Sequence, residues 1–378
     1  MDPESVQIDP FRHVGTKPLG KGNSEVWQVE SKHDGQVYAR KEFKSNGNNE
    51  NGIRGKIKEE VENISRCRHH HVIEFWGSHH VTSTGMFGIL LRPVAHMSLK
   101  QFFDRFSLLK NDQPERLQAR KTMCRWPPCL FYALAYIHDR GVRHKDIKPE
   151  NILIKDDQVY FADFGTSKNF CDSTTSKTGE SNLHTWRYVA PEIDQGERRG
   201  RAADVWALGC CVLQICTLAT GQNSIADLDD HLRRDGGGQS PPFCQSPYQV
   251  LDWILLLGAS GQGEDVEFER NVQKMLQLTF LMLDPNPSKR VTAQQLVDML
   301  AQLRSKYFNP IKQLACDRCR DISGVPLHNM PLHSVFKEAD NGGMYTPSHA
   351  DLQSDTQNLW EEVKRRWLQS HIWWNLRP

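Results

Sequence analysis

Four polar residues at fixed spacing limit the folds that this chain of 378 residues can adopt. Asp146, Lys148 and Asn151 lie close together, and Asp163 follows Asp146 by seventeen positions, just before a Phe-Gly pair. A carboxylate can act as a base, and a lysine can neutralise phosphate charge. A second carboxylate and an amide offer the oxygen ligands that Mg²⁺ prefers. The spacing therefore predicts phosphate-transfer chemistry shared between two loops.

Two short apolar runs separate these loops. Ile152 to Ile154 and Val159 to Phe161 flank an Asp-Asp pair, which is a pattern typical of two strands joined by a tight turn. Such a hairpin would fix the distance between Asp146 and Asp163.

A lysine near the N-terminus is predicted to be buried. In the run from Val37 to Phe43, strand alternation places Lys41 on the same face as Ala39 and other apolar residues. A buried ammonium group is costly without a partner. The next predicted helix offers Glu60 on its apolar side. We therefore expect a Lys41–Glu60 ion pair, the alternative being two unrelated surface charges.

A glycine pair precedes that strand. Gly20 and Gly22 lie in a predicted β-hairpin that begins at Leu19 and continues through Val26. Glycines let backbone N–H groups approach phosphates closely. By itself the pair also fits an ordinary turn.

In combination, these motifs resemble the eukaryotic-type protein kinase family, in its serine/threonine class. The resemblance extends over residues 14 to about 303. It includes Ala190-Pro191-Glu192, the Asp204 to Gly209 segment and Arg290. Lys148 and Thr185 match serine/threonine kinases better than tyrosine kinases.

The resemblance implies an α+β bilobal fold. A small β-rich N-lobe with one helix would occupy about residues 14–95, and a larger, mainly α-helical C-lobe about residues 96–305. Residues 1–13 would be an N-terminal extension, and 306–378 a C-terminal tail. Glu192 is expected to pair with Arg290, and Asp204 to anchor the catalytic-loop backbone.

The resemblance also implies ATP as phosphate donor, Mg²⁺ as metal, and Ser/Thr hydroxyls of proteins as acceptors. Asp146 would be the catalytic base, Lys148 would stabilise the transferring phosphoryl group, and Lys41 with Glu60 would orient the phosphates. Asn151 and Asp163 would bind Mg²⁺. The implied nucleotide contacts are Leu19, Gly20, Lys21, Gly22, Val26, Ala39, Lys41, Arg92, Val94 and Leu153.

Two positions depart from the family pattern. Glu25 replaces the third glycine of the glycine-rich loop, and Lys145 replaces the arginine before the catalytic aspartate. Lysine meets a phosphate as a point charge without the bidentate fork of arginine. A requirement for activation-loop phosphorylation therefore stays open. Ser181 is the favoured acceptor among the hydroxyls between 173 and 181.

Two other functions stay open at this point. A pseudokinase that binds nucleotide and scaffolds partners through its tail is supported only by Glu25 and Lys145. It is disfavoured because the expected catalytic and metal-binding residues are all present: Lys41, Glu60, Asp146, Asn151 and Asp163. A small-molecule phosphotransferase with the same fold is opposed by Thr185 and by the two motifs that follow it.

Composition limits partners and location. Forty-seven Lys and Arg balance forty-six Asp and Glu, so no global field attracts nucleic acid or an anionic membrane. The N-terminus lacks a secretory pattern, and no apolar run suggests a membrane span. We expect an intracellular protein, cytoplasmic or nuclear, whose ten cysteines are reduced and mostly buried.

Other segments carry weaker signals. Histidines at 69–71 and 79–80 lack a completing ligand set, and Cys316 and Cys319 form a lone C-x-x-C, so neither group by itself predicts a metal. Residues 222–269 are expected to form an irregular insert. The amphipathic segment from Trp360 to Trp367 is expected to dock on the kinase domain or, alternatively, to bind a partner.

Overall fold

The computed structural model describes residues 9–21, 24–44, 50–81, 83–164, 186–197, 200–233, 240–259, 265–306 and 315–320. Several predicted features lie outside these residues. They are Gly22, Gly165, Thr185, the hydroxyls between 173 and 181, and the segment from Trp360 to Trp367.

The N-terminal part is an antiparallel sheet. Within the described residues it has six strands in the order β1-β3-β4-β6-β5, and β2 pairs with β3. The strands are β1 (Phe11–His13), β2 (Gly20–Lys21), β3 (Glu25–Ser31), β4 (Val37–Lys44), β5 (Glu74–Val81) and β6 (Met86–Arg92).

Strand β4 is buried on both faces. Alternation correctly places Lys41 inside, but Arg40 and Glu42 on the opposite face are buried as well. Arg40 donates to Glu42 Oε1 at 2.8 Å and to Asp9 Oδ2 at 2.8 Å, and His13 Nε2 lies 2.7 Å from the same glutamate oxygen. The segment before residue 14 therefore helps to cover this face, which its sequence does not indicate.

Helix α1 (Glu50–Arg66) lies against β5, and the segment after it connects the two halves of the fold. The N–H of Phe161 donates to the carbonyl of His71 at 2.9 Å, and the N–H of Ile73 donates to the carbonyl of Phe161 at 2.9 Å. Val72 forms an isolated parallel bridge with Phe161. The strand that leads to Asp163 is thus hydrogen-bonded to the N-terminal part.

The C-terminal part is mainly helical, with a small sheet in the order β7-β8-β9. This sheet lies beside the segment from His144 to Asn151, called the catalytic loop below. That sheet contains β7 (Met97–Ser98), β8 (Ile152–Lys155) and β9 (Gln158–Phe161). The helices are α2 (Leu99–Ser107), α3 (Pro114–Met123), α4 (Trp126–Asp139), α5 (Pro191–Asp194), α6 (Arg201–Ala219), α7 (Ile225–Leu232), α8 (Pro247–Ala259), α9 (Val266–Met282), α10 (Ala293–Lys306) and α11 (Asp317–Arg320).

Helix α6 is the centre of this part. Among the described helices, it alone is long and apolar enough to cross a membrane, yet it is almost completely buried by its neighbours. An α-helix that is apolar on all sides is typical of a buried core element.

The prediction of an irregular insert over 222–269 is wrong for the residues described there. Ser224 caps α7 with a capping box, and Leu228 of that helix is completely buried. Trp253 of α8 donates from Nε1 to Thr217 Oγ1 at 2.9 Å. The many glycines obscure the helical pattern in the sequence, whereas packing against α6 supports both helices.

The described cysteines agree with the expectation of reduced, mostly buried thiols. All nine are free, and all except Cys316 are buried.

A buried ion pair joins the start of α5 to the loop before α10. Arg290 donates to Glu192 from Nη1 at 2.7 Å and from Nη2 at 2.9 Å, which confirms the predicted contact. Arg290 also donates to the carbonyls of Ala202 and Asp284 at 2.8 and 2.9 Å. One side chain therefore ties three segments together.

We expect Arg290→Met to lower the free energy of unfolding by about 3–5 kcal/mol, because it leaves Glu192 buried and unpaired. Urea titration measures this change. Lys100→Met is the control, since Lys100 pairs with Asp104 at an exposed site and its loss should cost less than about 1 kcal/mol. Equal midpoints for Arg290→Met and the control would contradict the prediction.

Candidate active site

Lys41 is the meeting point of three distant segments. Its Nζ donates to Glu60 Oε1 at 2.7 Å and Oε2 at 3.0 Å, and to Asp163 Oδ1 at 2.7 Å. The predicted Lys41–Glu60 ion pair is confirmed. The contact with Asp163 is an additional one that strand periodicity does not predict.

Lys41 and Asp163 stabilise each other's charged forms, whereas burial and the negative charge of Asp163 outweigh the attraction of Lys41 at Glu60 and raise its pKa. Burial lowers the pKa of Lys41, but the negative charges of Asp163 and Glu60 outweigh burial, so the pKa lies above its ordinary value. Burial also raises the pKa of Asp163, yet the attraction of Lys41 outweighs that effect and the pKa is lowered. The side chain of Asp163 is 44% exposed.

The catalytic-loop residues converge on one carboxylate. Asp146 Oδ2 accepts from Lys148 Nζ at 2.8 Å and from Asn151 Nδ2 at 2.9 Å. Asn151 Nδ2 also donates to the backbone carbonyl of Asp146 at 2.8 Å. Among the described residues, the buried Oδ1 of Asp146 has no hydrogen-bond partner. Hydrogen bonds to Oδ2 thus hold the carboxylate of Asp146 in one orientation.

Asp204 holds the backbone of this loop. Its carboxylate accepts from the N–H of His144 at 2.9 Å and from the N–H of Lys145 at 2.8 Å. The His138 ring donates to the same carboxylate at 3.0 Å. Lys145 has φ of +68°, a left-handed conformation that is unfavourable for a lysine. The predicted anchoring role of Asp204 is confirmed, and it supports this backbone geometry.

The hairpin of β8 and β9 fixes the distance between the two loops. Asp156 and Asp157 have φ of +48° and +60°, as expected for a two-residue turn of type I′. The N–H of Ala162 then donates to the carbonyl of Asn151 at 3.0 Å. Both predicted strands and their turn are present.

The predicted nucleotide contacts lie along β2, β3, β4 and the segment after β6. Gly20 and Lys21 pair with Val26 and Glu25 across a narrow ribbon, and the N–H of Leu19 donates to the carbonyl of Val26 at 2.7 Å. Strand β4 carries Ala39 next to the same ribbon, opposite Leu91 of β6. Arg92 ends β6, Val94 lies in the connection to β7, and Leu153 lies in β8.

Sequence reasoning missed one ion pair at the loop. Lys145 Nζ lies 3.9 Å from Glu59 Oε1 of α1. The residue that departs from the family pattern therefore faces the helix that carries Glu60. A charged residue beside Glu60 is common on an exposed helix face, so the sequence gives no specific signal for this contact.

Comparison with known proteins identifies the family. The protein kinase domain family matches residues 14–300. The chain belongs to the protein kinase family. It is 27% identical over 298 residues to the serine/threonine-protein kinase crk1 of Schizosaccharomyces pombe, covering 77% of this chain and 84% of that protein.

Two further relatives are matched over smaller parts of their own length. Identity to the human mitogen-activated protein kinase kinase kinase 6 is 29% over 283 residues, which is 74% of this chain and 19% of the relative. Identity to the cyclin-dependent kinase 4 homolog of Caenorhabditis elegans is 31% over 232 residues, which is 58% of this chain and 53% of the relative.

The chain is an ATP-dependent protein serine/threonine kinase with the bilobal kinase fold. The family acts on protein substrates and uses ATP with a divalent metal. The donor set here fits a hard cation. Asp163 offers a partly exposed carboxylate, and Asn151 uses its amide nitrogen toward Asp146, which leaves the amide oxygen as the remaining ligand atom.

We expect Asp204→Asn to reduce the acid sensitivity of the fold. Burial raises the pKa of Asp204, but the hydrogen bond from His138 and nearby positive charge outweigh it, so the folded-state pKa lies below the ordinary value of 3.8. The stabilisation by this carboxylate is present above the unfolded pKa and is lost as pH falls through the folded pKa.

The measurement is the urea midpoint from about pH 5 to about pH 3. The unaltered protein should lose more stability over this interval than Asp204→Asn, although the variant is less stable at neutral pH. Asp104→Asn, at an exposed ion pair, serves as the control. Parallel curves for all three proteins would show that Asp204 is not the titrating group.

Proposed function

We propose that this kinase transfers the γ-phosphoryl group of ATP to serine and threonine hydroxyls of proteins, with Asp146 as the catalytic base and Mg²⁺ as the metal. The observation that carries the proposal is the arrangement of Asp146. Lys148 and Asn151 hold its Oδ2, whereas its Oδ1 has no partner among the described residues. A substrate hydroxyl beside this oriented carboxylate would lose its proton to it.

Lys148 has a second part in the proposed reaction. Its ammonium group lies 2.8 Å from the base and is held in the same loop. As a phosphoryl group approaches the substrate oxygen, Lys148 can stabilise the negative charge that develops on the equatorial oxygens.

Lys41 is proposed to bind the nucleotide phosphates. Glu60 holds the ammonium group through both carboxylate oxygens, so its position is defined before ATP binds. The contact of Lys41 with Asp163 brings the phosphate-binding and metal-binding residues next to each other. Preorganised charge of this kind costs no rearrangement during the reaction.

Asn151 and Asp163 are proposed to hold Mg²⁺. When bound, Mg²⁺ would neutralise phosphate charge and align the transferring group. The lowered pKa of Asp163 keeps its carboxylate ionised at neutral pH, as an oxygen ligand requires. The hydrogen bond from Ala162 to Asn151 keeps the two ligand residues adjacent.

The nucleotide itself is proposed to lie between the β2–β3 ribbon and the small sheet of the C-terminal part. Its adenine would bond to the backbone of Arg92 and Val94. Apolar and backbone contacts would come from Leu19, Gly20, Lys21, Gly22, Val26, Ala39 and Leu153.

The boundaries, the tail and the location are likewise proposals. We place the lobes at about 14–95 and 96–305, between an extension (1–13) and a tail (306–378). The tail segment from Trp360 to Trp367 is proposed, from its aromatic amphipathic sequence, to dock on the kinase domain or on a partner protein. We propose an intracellular location, in the cytoplasm or nucleus.

The proposed base is tested by phosphate transfer from Mg-ATP to a mixed Ser/Thr/Tyr peptide library. Asp146→Asn should lower the rate by about 10²- to 10⁴-fold, because it removes the base and keeps the shape of the side chain. Asp163→Ala should also abolish transfer by removing a metal ligand. Asp156→Asn is the matched control, since that aspartate lies in an exposed turn and asparagine tolerates its positive φ.

The possible outcomes separate the functions. Transfer to Ser or Thr that the control keeps and both other variants lose would support the proposal. Transfer to tyrosine would contradict the substrate class. An unaltered chain that binds ATP but transfers no phosphate under any activating condition would favour the scaffold function.

A further inference from the structure

Two groups of residues that lie far apart in the sequence meet in the fold. His70 and His71 follow helix α1, and Cys316 and Cys319 lie about 245 positions later. His70 Nε2 lies 3.1 Å from Cys319 Sγ and 3.5 Å from Cys316 Sγ, and His71 Nε2 lies 3.2 Å from Cys316 Sγ. All four ligand atoms lie within 4.8 Å of one another.

These separations suit a tetrahedral ion. With Zn–S of about 2.3 Å and Zn–N of about 2.0–2.1 Å, a tetrahedron places nitrogen and sulfur about 3.5 Å apart. The three nitrogen–sulfur distances, 3.1 to 3.5 Å, are close to this value. Mixed imidazole and thiolate ligands in such an arrangement are typical of zinc.

The environment of His71 orients it as a ligand. Its Nδ1 lies 2.7 Å from the carbonyl oxygen of Val159. Because a carbonyl only accepts, Nδ1 must carry the hydrogen, so the lone pair of a neutral ring is on Nε2 and faces the cysteines. Metal-binding histidines commonly donate their other N–H to such an acceptor.

The cluster is enclosed but still accessible. His71 and Cys319 are buried, and Cys316 is partly exposed. A cavity of about 1100 Å³ is lined by His69, His70 and Arg318 and extends to residues 92–96, which connect β6 to β7. This opening gives an ion a route to the ligands.

We propose that His70, His71, Cys316 and Cys319 form a structural zinc site. Four protein ligands complete the tetrahedron and leave no open position for a reactant, which is the property of structural rather than catalytic sites. The lone C-x-x-C and the histidine run each lacked a second ligand pair in the sequence. The fold supplies it.

The site would fix the start of the tail to the segment that follows helix α1. His71 also accepts, through its carbonyl, the N–H of Phe161, two residues before Asp163. The segment that includes His70 and His71 lies directly after helix α1, which carries Glu60. Zinc would therefore hold residues 315–320 against the segment that contains His70 and His71. This segment follows the helix that carries Glu60 and is hydrogen-bonded to β9, the strand that leads to Asp163.

The first test is the metal content of the full chain, purified without chelators and measured by inductively coupled plasma mass spectrometry. We expect about one zinc ion per chain. The double variant Cys316→Ser/Cys319→Ser should retain less than about a tenth of it. Cys244→Ser, a buried free thiol elsewhere in the C-terminal part, should retain all of it. Zinc that persists in the double variant would overturn the assignment.

A second measurement uses the unaltered chain, in case the double variant fails to fold. Replacement of the bound metal by Co²⁺ should produce thiolate-to-cobalt charge-transfer bands and the intense visible bands of tetrahedral cobalt. A chain that contains no zinc and develops no such bands, or whose two cysteines are linked by a disulfide, would contradict the site. Neither readout depends on kinase activity, so the zinc proposal stands or falls independently of the proposed function.

Discussion

The active site is arranged as it is because the ammonium group of Lys41 is buried and needs partners of opposite charge. Lys41 is held inside the sheet by strand alternation, where an unpaired charge would be very costly. The fold must therefore bring Glu60 and Asp163 to it from two other segments. This requirement couples the position of helix α1 to that of the strand before Asp163, and both to β4. The same triad defines where phosphates and a divalent metal can bind.

The other half of the site depends on buried hydrogen bonds to backbone. Asp204 holds the loop before Asp146 in a left-handed turn, and the hairpin of β8 and β9 returns the chain to Asp163. The carbonyl and ring of His71 bond to the same hairpin. If zinc binds at His70 and His71, the tail becomes part of the support for the catalytic residues.

Local patterns account for much that could be predicted from the sequence. Alternation in β4 placed Lys41, apolar runs placed β8 and β9, and spacing identified Asp146, Asn151 and Asp163. Contacts between distant segments left no such signal. Helices α7 and α8 depend on packing against α6, and the cluster of His70, His71, Cys316 and Cys319 depends on the path of the whole domain. In the sequence each pair of ligands lacks the other two ligands of a metal site, and only the fold brings the two pairs together.

A double-mutant cycle between Lys41 and Glu60 tests the central coupling most directly, with kcat/KM for peptide phosphorylation as the readout. Lys41→Met and Glu60→Gln should each reduce this value by about 10²-fold or more. Because both residues serve one phosphate-binding unit, kcat/KM of the double variant should lie within about threefold of the value for the less active single variant. Losses that multiply in the double variant would show that the two residues act independently, contrary to this account.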